Sequence, residues 1–496
     1  MALASGPAIR ALIPGEFLHT KSGVRYRVYE QNGKALLSFE RAGDPLSKGT
    51  RELLYYIGSN HTGRSYLFQT DGFLFESPVN WYAQKKLWDM APAYQDSTEA
   101  PLTLPVVPDC LTCHASGIRP PRPGTENKYV APAIPHGGVT CERCHGDDIS
   151  HGSGNAGSVD PAKLPPKQRD AICMECHLEG TVAISRPGKH LYDFRPGDTL
   201  DEYIRYFVLD DQERRQNPQL SQVEALGQSA CKRKSGDRMS CMSCHDPHGS
   251  LGAGERVAFY RQKCLNCHGV AFGEKHHREQ PDCTSCHMPL KMATAVAHTE
   301  ATDHRILRKP DAGTKADTLD PATIRLMPFP PTEKPSDELR EVALAWESLA
   351  EGGMSAAVQE ANHSLKAAAS KFPNDPDLLS ALAFVDQKRG DVRDASELYR
   401  RALAIDPNRI DAASDLAVIE ASHRQIGEAV KLWQDAFRRA PERIAVGMNL
   451  ANVFCSAGQY DDARNYVLRV LEFNPDLGAA KRLLSHLNGD KPSCGP

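Results

Sequence analysis

The chain has 496 residues, 25% of them charged and 40% hydrophobic, which suits a folded soluble protein of about three domains. Its formal net charge of -4 excludes the strong basic excess of a nucleic-acid binder, and no run of 18 apolar residues is present to span a membrane. Cysteine is the anomaly: thirteen of fifteen lie between Cys110 and Cys286, and only Cys455 and Cys494 lie beyond.

Residues 15–100 read as a small β-containing region. "VRYRVYEQNGKALLSF" alternates apolar and polar residues about Asn32-Gly33, and "YLFQTDGFLF" does so about Asp71-Gly72, so two hairpins are expected. From 101 to 308 prolines and glycines are scattered, and one amphipathic helix is expected over "TLDEYIRYFVL", capped by Asp198 or Thr199.

The same stretch holds six copies of Cys-x-x-Cys-His: Cys110-Cys113-His114, Cys141-Cys144-His145, Cys173-Cys176-His177, Cys241-Cys244-His245, Cys264-Cys267-His268 and Cys283-Cys286-His287. Two thiols at this spacing span the two vinyl groups of a porphyrin as thioethers, and the adjoining imidazole reaches the iron as proximal ligand. Zinc ribbons and redox dithiols also use Cys-x-x-Cys, but neither needs a histidine directly after every pair. Six covalently attached haems c are therefore expected. About 30 residues accompany each motif, so the porphyrins themselves are expected to form most of this core. Cys231, outside the motifs, reads as a small buried apolar residue.

Residues 309–337 carry Pro310, Pro321, Pro328, Pro330, Pro331 and Pro335 and read as a linker that no continuous helix can cross. Over 338–490 the sequence repeats: Pro373, Pro407, Pro441 and Pro475 are 34 residues apart, as are Ala361, Ala395, Ala429 and Ala463. Ala368, Ala402, Ala436 and Val470 keep the register, with Tyr399 and Trp433 at a bulky position. This is the tetratricopeptide period, in which small residues let paired helices approach and proline ends each second helix. The fold class expected is thus multidomain: a small β-containing region, an irregular, mainly α multihaem c-type cytochrome core, and an all-α tetratricopeptide solenoid.

Sixteen of nineteen histidines lie before residue 310, and ten remain once the proximal six are assigned. His61, His136, His151, His248, His298 and His304 are the candidates for the far faces of the irons. His19, His190, His276 and His277 rank lower, because nothing local distinguishes them. A histidine on both faces makes a six-coordinate haem suited to carrying electrons, whereas an empty face admits a substrate. The spacing does not say which distal histidine serves which haem.

Residues 105–308 resemble the multihaem cytochrome c superfamily that includes pentahaem nitrite reductases and octahaem hydroxylamine oxidoreductases. The features are "CERCHG" with His151 beyond it, "CMSCHDPH", and "CTSCHMP" followed by "AHTEATDH". The resemblance implies distal ligation by His151 and His248. Nitrite reductases of that group carry lysine at the catalytic haem, whereas all six motifs here end in histidine.

The expectation is an electron-transfer cytochrome without catalytic residues, having redox partner proteins and a protein partner, or a second copy, at the tetratricopeptide groove. The alternatives are a multihaem oxidoreductase acting on a small nitrogen or sulfur oxyanion, and a scaffold with structural haems. Haem attachment takes place outside the cytoplasm, yet "MALASGPAIRALIPGEF" has no charged start and no long apolar run. A processed or truncated chain in the periplasm or on the outer cell face is expected.

Overall fold

The computed structural model describes residues 2–4, 7–58, 63–146, 158–210, 221–249, 251–252, 254–269, 280–291, 301–308, 325–331 and 338–495. They form two compact units. One is built from Met1–Thr140 with Val358–Pro496, the other from Cys141–Thr294 with Thr299–Ala357.

The first unit opens with an antiparallel sheet of β1 (Ala2–Leu3), β2 (Gly15–His19), β3 (Val24–Gln31), β4 (Lys34–Arg41), β5 (Asp44–Ile57), β6 (Gly63–Thr70), β7 (Phe73–Tyr82) and β8 (Leu87–Met90). Strands β2 to β8 pair in chain order, and β1 pairs with β5. Both expected hairpins are present, with Gln31 opposite Lys34 and Thr70 opposite Phe73. Each two-residue turn needs positive φ at both positions, which Asn32 (53°) with Gly33 (76°) and Asp71 (53°) with Gly72 (83°) supply. Alternation decides the faces: Val24, Tyr26 and Val28 are buried while Arg25 and Arg27 are exposed.

Eight helices run from Ala357 to Leu487, and their starts repeat with the sequence: Pro376, Ile410, Ile444 and Gly478 begin the first helix of successive pairs, and Val392, Ile426 and Tyr460 the second. Ala361, Ala395, Ala429 and Ala463 are fully buried where the helices cross, and Tyr399 and Trp433 fill the gaps between pairs. The last pairs do not end in solvent. Phe473 enters the core of the sheet beside Tyr26, Phe39 and Phe68 and meets Phe75 edge-on at 5.6 Å. Nearby, buried Asp476 accepts hydrogen bonds from Arg41, from Ser47 (2.5 Å) and from Lys481 (2.7 Å). A Cys455–Cys494 disulfide ties the carboxy-terminal tail to the helix Ile444–Ser456.

Glu442, between two of these helices, gives the array a pH dependence. It is 8% exposed, and burial pushes its carboxyl up to about 7. An unfolded glutamate titrates near 4.3, so between the two values the folded chain holds a proton that the unfolded chain has lost, and stability falls as pH rises through about 7. Glu442→Gln cannot ionise. It is expected to stabilise the array by about 2 kcal/mol at pH ~8 and hardly at all at pH ~3.5, measured by thermal melts of helical circular dichroism.

In the second unit β9 (Val182–Ser185), β10 (Ile204–Asp210) and β13 (Arg325–Phe329) form a sheet with β10 in the middle, and β11 (Leu290–Lys291) pairs with β12 (Ala301–Thr302). The helix expected over "TLDEYIRYFVL" is a short 3-10 turn, Leu200–Glu202, followed by β10. Burial on both faces explains the difference: Ile204 and Tyr206 pack with Ala171, Ile172 and Phe194, while Phe207 packs with Val182 and Ala345. Within the stretch expected as a linker, the described Arg325–Phe329 is the edge strand β13, with Pro328 opposite Phe207. Proline bars a helix but is tolerated at a sheet edge. Helix Leu339–Glu351, which supplies Ala345, packs in this unit.

Candidate haem sites

Cysteines at i and i+3 and a histidine at i+4 share one face of a helical turn, and the structure builds the motifs on such turns. Cys110 lies in helix Pro108–Thr112, Cys173 and Cys176 end helix Pro166–His177, Cys264 and Cys267 end helix Arg256–His268, and Cys283 starts helix Cys283–His287. His145 and His245 each return a backbone hydrogen bond to the first cysteine of their motif, at 3.0 and 2.9 Å. The first motif belongs to the unit that holds the sheet and the repeats, and Leu111 anchors it against Tyr55, Leu67 and Tyr129. The other five belong to the second unit.

Two of the motif histidines are oriented in the same way. His145 Nδ1 donates to the Val159 carbonyl at 2.9 Å, and the Val159 N–H returns to the His145 carbonyl at 2.9 Å. His287 Nδ1 donates to the Leu307 carbonyl at 2.6 Å, and the Leu307 N–H returns to the His287 carbonyl at 2.9 Å. A carbonyl only accepts, so the proton sits on Nδ1 and the lone pair on Nε2 faces away, ready for a metal. Neither Val159 nor Leu307 carries a sequence signal, because their backbones make the contact.

Further histidines approach proximal ones. The rings of His145 and His248 have centroids 5.9 Å apart and planes within 13°. Those of His245 and His304 lie 6.2 Å apart and within 23°, and His304 Nδ1 donates to the Thr302 carbonyl at 2.8 Å. A metal–imidazole bond is about 2 Å and the ring centre lies about 1 Å farther, so two imidazoles facing each other across one iron have centroids about 6 Å apart. Both pairs have that centroid separation, with their rings close to parallel. Burial, then His304 and His177, lower the pKa of His245 and favour the neutral imidazole that ligation needs.

The residues present also fit haem in their packing and thiol chemistry. Helix Arg256–His268 buries none of its side chains, nor does helix Cys283–His287. A helix of that length is not stable in water without an apolar partner, and porphyrins held on its own cysteines would supply one. The motif cysteines are all thiols, the form from which thioethers are made. Two pairs from consecutive motifs in the second unit share hydrogen bonds, Cys173 with Cys241 and Cys264 with Cys283.

Comparison with known families agrees with this chemistry. The family described as doubled CXXCH motif matches residues 234–272, cytochrome c554 and c-prime matches 81–146, and tetratricopeptide repeat matches 354–419 and 420–487. The chain is a multihaem cytochrome c with tetratricopeptide repeats.

Among curated proteins, this cytochrome is similar to the multiheme cytochrome MtrA of Shewanella baltica (strain OS185), at 24% identity over 194 residues, 35% of this chain and 55% of the relative. The chain thus spans about half the length of that relative. Among solved structures it is similar to MamA AMB-1 at 22% identity, covering 31% of this chain and 80% of that one with a TM-score of 0.27. Pseudomonas aeruginosa pilF matches at 25% identity, covering 31% and 69%, also with a TM-score of 0.27.

The remaining histidine candidates are placed unevenly in the cytochrome. His136 lies beside the first motif, where a Cβ on Gly117 would come within 3.4 Å of its ring. Both nitrogens of His19 are engaged: Nε2 donates to the Gln95 carbonyl (3.2 Å), so Nδ1 accepts from Ser22 (2.8 Å). His190 stacks on Tyr192 at 4.8 Å. His61, His151, His276, His277 and His298 lie outside the described residues.

Sequence reasoning also passed over Arg143 and Glu175, which form an ion pair between the second and third motifs. The signal was available, since opposite charges occupy the third position of "CERC" and "CMEC". Cys231, read as buried, is half-buried.

Proposed function

We propose that this cytochrome conducts electrons along six covalently attached haems c with histidine on both faces of the irons, and that its repeats dock a protein partner. The observation that carries the reading is the approach of His248 to His145 and of His304 to His245 at the separation one iron needs. Bound haem supplies an iron that alternates between the ferric and ferrous states. The protein supplies the thiols that fix each porphyrin, the Nδ1 hydrogen bonds that aim His145, His287 and His304, and strong ligands that exclude substrate from the iron.

Two chemistries favour a site of action outside the cytoplasm, in the periplasm or on the cell surface. Thioether attachment of haem takes place there, and Cys455–Cys494 is a disulfide of the kind that persists in an oxidising compartment. Among the described residues no helix is long and apolar enough to cross a membrane. Haem propionates would make the charge more negative than -4, a surface suited to steering a basic redox partner in a salt-sensitive association.

Intact-mass spectrometry tests the count. The mature protein is expected to exceed the 54.5 kDa polypeptide by six haem equivalents, and fewer than five would overturn the reading. A second reading, conversion of a small nitrogen or sulfur oxyanion, draws on a cavity of about 260 Å³ beside His245, lined in part by Arg256 and Tyr260. A high-spin haem that shifts on adding nitrite or hydroxylamine would favour it.

A further inference from the structure

We propose that Arg143 and Glu175 are positioning residues that fix the spacing between the haems of the second and third motifs. The inference rests on the reading of those motifs as haem c sites. Arg143 lies between Cys141 and Cys144, and Glu175 lies between Cys173 and Cys176, so each is held on the turn between two thioether sulfurs. Arg143 Nη2 donates to Glu175 Oε1, with the arginine side chain 12% exposed and the glutamate fully buried.

Such a pair is a poor device for stability alone. Removing two charges from water offsets most of their attraction, and apolar residues of similar volume would serve as well. What a charge-assisted hydrogen bond adds is direction. Cys144 of helix Glu142–His145 also packs against the apolar cluster that holds Ala171 and Ile172 of helix Pro166–His177. Apolar contact is non-directional and lets one helix slide on the other. Each porphyrin hangs from its sulfurs by single bonds, so a slide of one turn past the other would change the edge-to-edge gap, on which electron tunnelling depends exponentially.

The test compares Glu175→Gln, Arg143→Ala and the charge swap Arg143→Glu with Glu175→Arg in the full-length holoprotein. Intact mass first establishes the haem count, which decides the haem reading independently of the spacing. Soret-region circular dichroism then reports excitonic coupling between neighbouring haems, and flash reduction reports electron redistribution within the molecule. The single variants are expected to retain six haems, to lose part of the Soret couplet, and to redistribute electrons about fivefold more slowly, with the swap restoring both. Asp201→Asn, which breaks the exposed 2.9 Å Lys167–Asp201 pair, is expected to change neither. Single variants with all haems, an unchanged couplet and unchanged rates would overturn the proposal, as would a swap that restores thermal stability but not the couplet. If Glu175→Gln is recovered with haem missing, Arg143→Lys, which keeps the charge but not the planar fork, takes its place under the same criteria.

Discussion

Replacing His304 by glycine is expected to leave six haems attached and to convert one of them from low spin to high spin, with added imidazole restoring the low-spin signal. Attachment survives because Cys241 and Cys244 hold the porphyrin while only the far-side ligand is lost. Its rescue by free imidazole distinguishes a missing ligand from a disturbed fold. The 6.2 Å approach of His304 to His245 assigns the affected haem to the fourth motif, and the 5.9 Å approach of His248 to His145 assigns the haem affected by His248→Gly to the second. Electron paramagnetic resonance of the oxidised protein measures both. The pairing is tested in a Cys241→Ser, Cys244→Ser background, which carries no fourth haem. There His304→Gly should cause no further loss of low-spin signal, whereas His248→Gly should still cost one equivalent. A new high-spin haem from His304→Gly in that background would refute the pairing.

The second large effect concerns the seat of the repeats. Phe473 is 1% exposed in the sheet core against Phe75. Truncating it to alanine is expected to cost about 3–5 kcal/mol, the usual range for a phenylalanine removed from a close-packed interior. Ending the chain at Ala357 goes further, because it strips Phe473, Asp476 and Lys481 from the sheet together, and Arg41 and Asp44 lose the ion pairs they make with Asp476 and Lys481. The sheet and the first motif, which share that unit, should become sensitive to limited proteolysis. The second unit keeps all its residues up to Ala357 and should retain the haems of the other five motifs. Ending the chain at residue 337 should harm that unit as well, since Ala345 is lost from beneath Phe207.

Cysteine spacing, turn residues and the 34-residue register are short-range or periodic, and these features were legible in the sequence. Asn32-Gly33 and Asp71-Gly72 set their hairpins because few other pairs adopt positive φ twice in succession. Ala361, Ala395, Ala429 and Ala463 set helix crossings because only a small side chain fits there. The segment from Ile204 to Asp210 misled because an apolar run reads as helix or strand until its neighbours are known, and β9 and β13 on either side made it a central strand.

The sequence by itself determined the motif chemistry: which cysteines are spaced to take haem, which histidine follows each pair, and the 34-residue period of the repeats. These depend on spacings of a few residues or on a fixed period, which the chain carries in any conformation. Only the tertiary structure decided which histidine faces which, which carbonyl orients each imidazole, that Arg143 meets Glu175, and that the sheet closes on the end of the repeats. Arg41 and Asp476 are 435 residues apart in the chain, and His145 gains its orientation from a backbone carbonyl 14 residues away that any side chain could accompany. Such contacts form when packing brings distant backbone together, and no local pattern of residue types encodes them.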